Sequence, residues 1–228
     1  MRRVWRELTA LLFPMVCPGC GRSGNPLCTT CERQLVPPPV VVPPPRVDEW
    51  VAPFAYAGVA REVIARLKYR GAHGAAGWLA GEMARAVERT GLVEVDAVTW
   101  APTTRARQRM RGFDHAELLA RPIARAFGLP ARPLLRRPAG PPQTGLPAAE
   151  RRRGPAFASR RDVPLCVLVV DDVATTGATL AAAAGALRAA GATRVFAVTA
   201  ARTPAPRTMC TCWDDHASAA VDTGTDPP

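Results

Sequence analysis

The stretch from Cys166 to Leu180 combines a strand pattern with carboxylates and hydroxyl groups. An apolar run over 165–170 is typical of a central parallel strand, and Asp171 and Asp172 follow it directly. The next residues are small or hydroxylated, so their backbone N–H groups can closely approach an anion. These residues are Ala174, Thr175, Thr176, Gly177, Ala178 and Thr179. A helix predicted over 178–190 adds its N-terminal dipole, so the segment predicts a cradle for a sugar phosphate.

The two carboxylates suit the other parts of such a ligand. Asp171 and Asp172 can accept hydrogen bonds from sugar hydroxyls or hold a hydrated Mg²⁺. The chain has no GxxxxGK[ST] pattern, which argues against a nucleoside triphosphatase, and no GxGxxG pattern, which argues against a dinucleotide site. The remaining alternative is a strand–helix turn with threonine caps and two surface carboxylates.

A second segment carries closely spaced arginines. It follows the strand predicted over 95–101, so we expect it at the same edge of the sheet as the two aspartates. Guanidinium groups make bidentate contacts to phosphates, and Arg105, Arg109 and Arg111 are predicted to hold a pyrophosphate group. A solvated basic turn is the alternative interpretation.

Two CxxC pairs, Cys17 with Cys20 and Cys28 with Cys31, lie seven residues apart. Four thiolates arranged in two such pairs are typical of a tetrahedral zinc site with no open position, which indicates a structural metal. A redox-active dithiol pair is the alternative. We expect Cys166 to be a small core residue, His115 a surface or loop group, and Trp50 a core or sheet-face residue.

Strand and helix patterns alternate along the rest of the chain. They predict an α/β fold with a mostly parallel sheet and flanking helices. Strands are predicted over 50–56, 95–101, 165–170 and 195–200, and helices over 59–69, 75–88, 115–127 and 178–190. Residues 130–162 are polar and rich in proline and arginine, which predicts a long mobile loop. Its 136–160 part is expected to close over a substrate.

The predicted organisation has four parts. An N-terminal helix and the cysteine element occupy 1–35, and a proline-rich linker occupies 36–48. This linker favours polyproline II, acting either as a semi-rigid spacer or as a ligand for a proline-binding module. The α/β domain spans 49–202, and a flexible tail spans 203–228.

Composition narrows the function classes. The chain has 228 residues and a net charge of +11, and a positive surface suits polyphosphate or nucleic-acid partners. A GC-rich coding bias is another source of this charge, because the contents of Arg, Ala, Gly and Pro are high together. Because no apolar run approaches the ~20 residues of a membrane span, we expect no membrane insertion. Seven cysteines, four of them clustered, favour a reducing, cytoplasmic setting over a secreted disulfide scaffold.

The phosphate segment resembles the phosphoribosyl pyrophosphate (PRPP) loop of type I phosphoribosyltransferases. Pro102, Arg105, Arg109 and the run 111–116 (Arg-Gly-Phe-Asp-His-Ala) are similar to one branch, the ComF family (competence protein F), as are 67–71 and 151–157. The similarity extends over about 17–202. It implies a type I phosphoribosyltransferase-like fold and an N-terminal zinc element.

The resemblance also implies roles. Asp171 and Asp172 would contact the ribose hydroxyls, and 174–179 would wrap the 5′-phosphate. Pyrophosphate would be displaced from ribose C1 by a nitrogen nucleophile, with Mg²⁺ bridging pyrophosphate and ribose oxygens. The alternative is a non-catalytic module of DNA uptake and transformation that binds single-stranded DNA and a helicase partner.

Overall fold

The computed structural model describes residues 16–22, 26–67, 73–91, 94–138, 155–160 and 162–203. Strands and helices alternate through these ranges as the sequence predicts. In chain order the elements are α1 (Thr29–Glu32), β1 (Glu49–Val51), β2 (Phe54–Ala55), α2 (Gly58–Leu67), α3 (His73–Glu88), β3 (Ala97–Trp100), α4 (Arg105–Arg111), α5 (His115–Ala126), β4 (Leu135–Arg136), β5 (Ala158–Ser159), β6 (Cys166–Ala174), α6 (Ala178–Ala189) and β7 (Arg194–Arg202).

A parallel sheet forms the centre of the molecule. Its order is β1, β7, β6, β3, and β2 continues the edge of β1 by pairing with the end of β7. The strand predicted over 50–56 is interrupted at Ala52 and Pro53, because proline has no N–H to donate to the ladder. On the opposite edge, Ala131 bridges to Val98 in parallel. The predicted fold, a mostly parallel sheet with flanking helices, is confirmed.

Helices cover both faces of the sheet. Helices α2, α3 and α5 bury residues such as Ile64, Leu79 and Ile123 against one face. On the other face, α6 buries Leu180 and Leu187 in a second cluster. A strand covered on both sides needs apolar residues at successive positions, which explains the continuous run at the start of β6.

Strand β6 runs beyond its predicted end. It continues to Ala174 and contains both aspartates, with Asp171 opposite Thr199 and Ala174 opposite Arg202 on β7. The apolar run ends at Val170, but the backbone ladder goes on because β7 supplies partners as far as Arg202. The carboxylates are therefore held on a strand rather than on a loop.

The stretch predicted as a long mobile loop over 130–162 contains secondary structure. Strands β4 and β5 pair antiparallel, with Leu135 opposite Ser159 and Arg136 opposite Ala158. Leu134 and Leu135 are buried in the cluster beneath α6, so packing orders this part of a proline-rich segment. Residues 139–154 lie outside the described residues.

The N-terminal segment packs against the α/β body. Cys17 and Cys31 belong to the same buried cluster as α2 and α3, and Arg66 Nη1 donates to the Cys17 carbonyl at 3.3 Å. Val36 O accepts from Ala55 N at 2.9 Å, so the proline-rich segment is tied to β2.

The division of the chain into four parts stays a prediction, and 1–15 and 204–228 lie outside the described residues. No helix in the described ranges is long and apolar enough to span a membrane.

Candidate functional site at the carboxyl edge of the sheet

A cavity of about 320 Å³ lies where β6 and β3 approach their carboxyl ends. It brings both predicted aspartates together with basic side chains from three other segments. Its charged and polar lining consists of Arg107, Arg111, Asp114, His115, Arg137, Asp171, Asp172, Thr103 and Thr179. This is the edge at which ligands bind in open α/β sheets.

The backbone holds the two aspartate side chains. Asp172 N donates to Asp171 Oδ1 at 2.8 Å, and Val173 N donates to Asp172 Oδ1 at 2.7 Å. Burial, together with the charge of Asp172, raises the pKa of the Asp171 carboxyl well above its usual value. Two adjacent carboxylates in this environment favour a proton, a cation or hydroxyl donors as partners.

Helix α4 separates the arginines that the sequence groups together. Arg107 and Arg111, one turn apart, line the cavity. Arg105 and Arg109 instead line a more open depression of about 440 Å³, together with Gln108 and Gly112. Of the three arginines predicted to hold pyrophosphate, the structure brings only Arg111 to the aspartates.

The segment forms a helix although its sequence lacks an apolar stripe. Thr104 caps α4 by accepting from Arg107 N at 3.3 Å, and Gly112 ends it with a φ of +84°. No side chain of α4 is buried, so hydrophobic periodicity gives no signal for this helix. The capping threonine and the terminal glycine are the signals that indicate it.

Arg137 is a cavity residue that sequence reasoning missed. It directly follows β4, and its guanidinium lies 6.0 Å from the Phe157 ring centre. Burial and the nearby charge of Arg107 lower its pKa, while Asp171 acts in the opposite direction. Contacts of its segment with β3 and β5 bring this arginine to the aspartates, and no local motif marks it.

Asp114 and His115 form another wall of the cavity. Asp114 caps α5 by accepting from Ala116 N at 3.0 Å, and its second oxygen accepts from Thr103 N at 2.8 Å. Burial raises the pKa of this carboxyl. His115 is only 4% exposed, so the expectation of a surface or loop group is wrong. Its ring contacts Arg111 through Nδ1 at 3.2 Å and lies edge-on to Phe113.

The predicted phosphate turn connects β6 to α6. Among its six residues Thr179 lines the cavity, while Ala174 ends β6 in the core. Gly177 adopts a φ of +72° at the start of α6, and Thr176 Oγ1 accepts from Ala178 N at 3.3 Å. This geometry places the N-terminus of a twelve-residue helix beside the aspartates.

The four predicted metal-ligating cysteines converge. Their Sγ atoms all lie within 4.8 Å of one another, and those of Cys20 and Cys28 are 3.7 Å apart. A tetrahedral zinc site with Zn–S bonds of ~2.3 Å requires S···S separations of about 3.8 Å. The cluster therefore fits a tetrahedral metal ion.

The pKa values of two of the clustered thiols are shifted in opposite directions. Burial by itself raises the pKa of Cys17, but N–H groups of Cys28, Cys20 and Gly19 outweigh it and lower the value to about 6. Burial and the neighbouring thiols raise the pKa of Cys31 to about 12. A cation bound by the cluster would favour the ionised form of the Cys31 thiol.

Comparison with curated proteins identifies the family of this chain. DNA utilization protein YhgH from Salmonella typhi is 30% identical over 189 residues, which is 79% of this chain and 81% of the relative. The protein of the same name from Escherichia coli K12 matches with the same identity and coverage. The chain belongs to the family of these DNA utilization proteins. A scan against models of known protein families matches none of them.

Solved structures align with this chain at TM-scores below 0.5. Glutamine PRPP amidotransferase from B. subtilis aligns with a TM-score of 0.41 and 24% identity over 60% of this chain and 30% of that one. Purine phosphoribosyltransferase from Pyrococcus horikoshii aligns with a TM-score of 0.36 and 17% identity over 55% of this chain and 83% of that one. The aligned part of this chain thus spans less than a third of the amidotransferase.

Proposed function

We propose that the protein binds PRPP or a related ribose phosphate at the carboxyl edge of its sheet and acts as a ComF-type phosphoribosyltransferase. The observation that carries this proposal is one cavity in which Asp171 and Asp172 face Arg107, Arg111 and Arg137. Such a cavity suits a ligand with hydroxyl groups at one end and anionic groups at the other.

The proposed roles combine this placement with the resemblance to the PRPP loop. Asp171 and Asp172 accept hydrogen bonds from the ribose hydroxyls. The turn 174–179 and the N-terminus of α6 bind the 5′-phosphate. Arg107, Arg111 and Arg137 hold the pyrophosphate, because Arg105 and Arg109 line a separate depression. Asp171 and Asp172 would hold Mg²⁺ when it is bound, and the ion would supply positive charge to the pyrophosphate and ribose oxygens.

The reaction is a substitution at ribose C1. The bond from C1 to the pyrophosphate oxygen breaks, the oxygen keeps the electron pair, and a nitrogen nucleophile forms the new bond to C1. The transition state resembles an oxocarbenium ion, so the protein acts mainly by holding the ligand and stabilising charge on the leaving group.

The cysteine cluster is proposed to hold one structural zinc ion through Cys17, Cys20, Cys28 and Cys31. Two of the four side chains are buried in the main core, so the metal would fasten the N-terminal segment to α2 and α3. Free thiolate ligands require a reducing environment, and we propose a cytoplasmic location on that basis.

The second candidate is a non-catalytic module of DNA uptake that binds single-stranded DNA and a helicase partner. The observation that favours it is the outward face of α4, where Arg105 and Arg109 present charge away from the cavity. The name of its relatives, DNA utilization proteins, points in the same direction. On this view the cavity senses a ribose phosphate or a strand end without turnover.

One set of measurements separates the two candidates. PRPP binding is measured by calorimetry with Mg²⁺, and pyrophosphate release is followed with candidate bases and ammonia. Release that depends on a nucleophile supports the transferase, whereas salt-sensitive binding of single strands without release supports the module. The double variant Asp171→Asn with Asp172→Asn should lose PRPP binding under either view, and unchanged affinity would remove the aspartates from the site.

A further inference from the structure

We propose that His115 is a positioning residue whose neutral imidazole holds the Arg111 guanidinium in the cavity for an anionic ligand. Arg111 Nη1 and His115 Nδ1 are 3.2 Å apart, and both side chains line the cavity that contains Asp171. The identity of the anion rests on the proposed function, whereas the contact between the two side chains does not.

Donor chemistry decides which form of the histidine makes this contact. A guanidinium has only N–H donors and stays protonated in proteins. Nδ1 must therefore accept, which leaves the ring proton on Nε2. An imidazolium would point N–H against N–H and release Arg111 from this orientation.

The charges around the ring come from four elements. Arg111 and Arg107 belong to α4, Arg137 follows β4, and the N-terminus of α5 adds positive potential. Asp114 precedes the ring on its own helix, and Asp171 and Asp172 face the cavity from β6. The imidazole thus lies between cationic side chains on one side and carboxylates on the other.

The backbone that carries the imidazole is held by hydrogen bonds, and its ring contacts a neighbouring aromatic side chain. It occupies the first position of α5, next to Asp114, whose carboxylate binds Ala116 N and Thr103 N. The Phe113 ring lies edge-on to it, with the ring centres 5.2 Å apart. A rigid acceptor restricts the rotamers of Arg111, so less side-chain entropy is lost when an anion binds.

The test compares two variants that differ in the acceptor. His115→Asn keeps an oxygen at the position of Nδ1, whereas His115→Phe keeps a ring and removes the acceptor. Calorimetry with inorganic pyrophosphate should show about fivefold to tenfold weaker binding for His115→Phe and a change of under about twofold for His115→Asn. In an Arg111→Gln background the two His115 variants should bind alike, because the side chain that they position is gone.

The pH profile gives a readout that a purely structural role would not change. Between about pH 8 and pH 5 the ratio of wild-type affinity to His115→Asn affinity should change, because the imidazolium cannot accept from Arg111. Comparison of these two proteins cancels the ionisation of pyrophosphate itself. Equal affinity of His115→Phe and wild type, or parallel pH profiles, would overturn the inference.

A measurement without ligand separates this inference from the proposed function. Nitrogen-15 NMR of the free protein, assigned with His115→Asn, should show an unprotonated Nδ1 and a protonated Nε2. An Nδ1–H tautomer would refute the positioning role even in a protein that binds pyrophosphate. A wild-type protein that binds neither pyrophosphate nor PRPP would refute the proposed function, and with it the anion-binding role of Arg111.

Discussion

Pro44 of the proline-rich segment lies against Gly177, the residue at which the phosphate turn enters α6. A Cβ atom added at Gly177 would lie 2.9 Å from the Pro44 Cβ, and the residue has a φ of +72°. Pro44 is held in turn, because its carbonyl accepts from Val47 N at 3.1 Å. The segment between the cysteines and the sheet therefore supports the turn that we propose to bind phosphate.

Gly177→Ala should weaken both stability and ribose phosphate binding. The left-handed backbone costs about 1 kcal/mol for any L side chain, and the clash with Pro44 adds to this. Gly128→Ala is the matched control, because Gly128 has a φ of +65° and nothing within 4 Å of an added Cβ. Urea unfolding and calorimetry with ribose 5-phosphate should show the larger loss for Gly177→Ala. Equal losses of stability and binding for the two variants would show that Pro44 moves aside, and would contradict the prediction.

Asp171→Asn should stabilise the protein while weakening PRPP binding. Burial and the charge of Asp172 raise the folded-state pKa of Asp171 well above 3.8, so the folded protein retains a proton that the unfolded chain releases. Wild-type stability accordingly falls as the pH rises from about 4 through the folded-state pKa. At neutral pH the variant should have a higher free energy of unfolding than the wild type.

Urea unfolding at several pH values measures this effect. The exposed Glu94→Gln serves as the control, since it removes a carboxylate outside the cavity and should leave the pH slope as in the wild type. A destabilised Asp171→Asn protein at neutral pH would contradict the prediction.

Arg107→Gln and Arg109→Gln remove the same charge from the same helix. Only Arg107 lines the cavity, so Arg107→Gln should weaken pyrophosphate binding about tenfold and Arg109→Gln by less than about twofold. If the outward face of α4 binds single strands, Arg109→Gln should instead reduce DNA affinity and its salt dependence. Equal effects of both variants on pyrophosphate would show that α4 acts only through net charge.

The cysteine cluster should contain about one equivalent of zinc by elemental analysis. Cys31→Ser should lose the metal and unfold at a lower temperature, because Cys31 is buried in the core shared with α2 and α3. Cys166→Ala removes a buried thiol outside the cluster and should retain the metal. Zinc-free wild-type protein purified under reducing conditions would contradict this prediction.

Local sequence was enough to predict the parallel sheet, the two aspartates at its edge and the convergence of the cysteines. Each of these features depends on spacing along a few residues: a strand run followed by carboxylates, or two CxxC pairs. The continuation of β6 to Ala174 was not predicted, because it depends on the length of its partner β7. The same holds for β4, whose partner β5 follows more than twenty residues later.

The side chains that complete the cavity were decided by tertiary structure alone. A run of alternating arginines does not show which of them face the cavity until α4 forms, which separates Arg107 and Arg111 from Arg105 and Arg109. Arg137 and Pro44 reach the site through contacts with residues distant in sequence. The physical reason is that local spacing determines the periodicity of an element, whereas the face it turns toward a ligand is set by its packing against the rest of the chain.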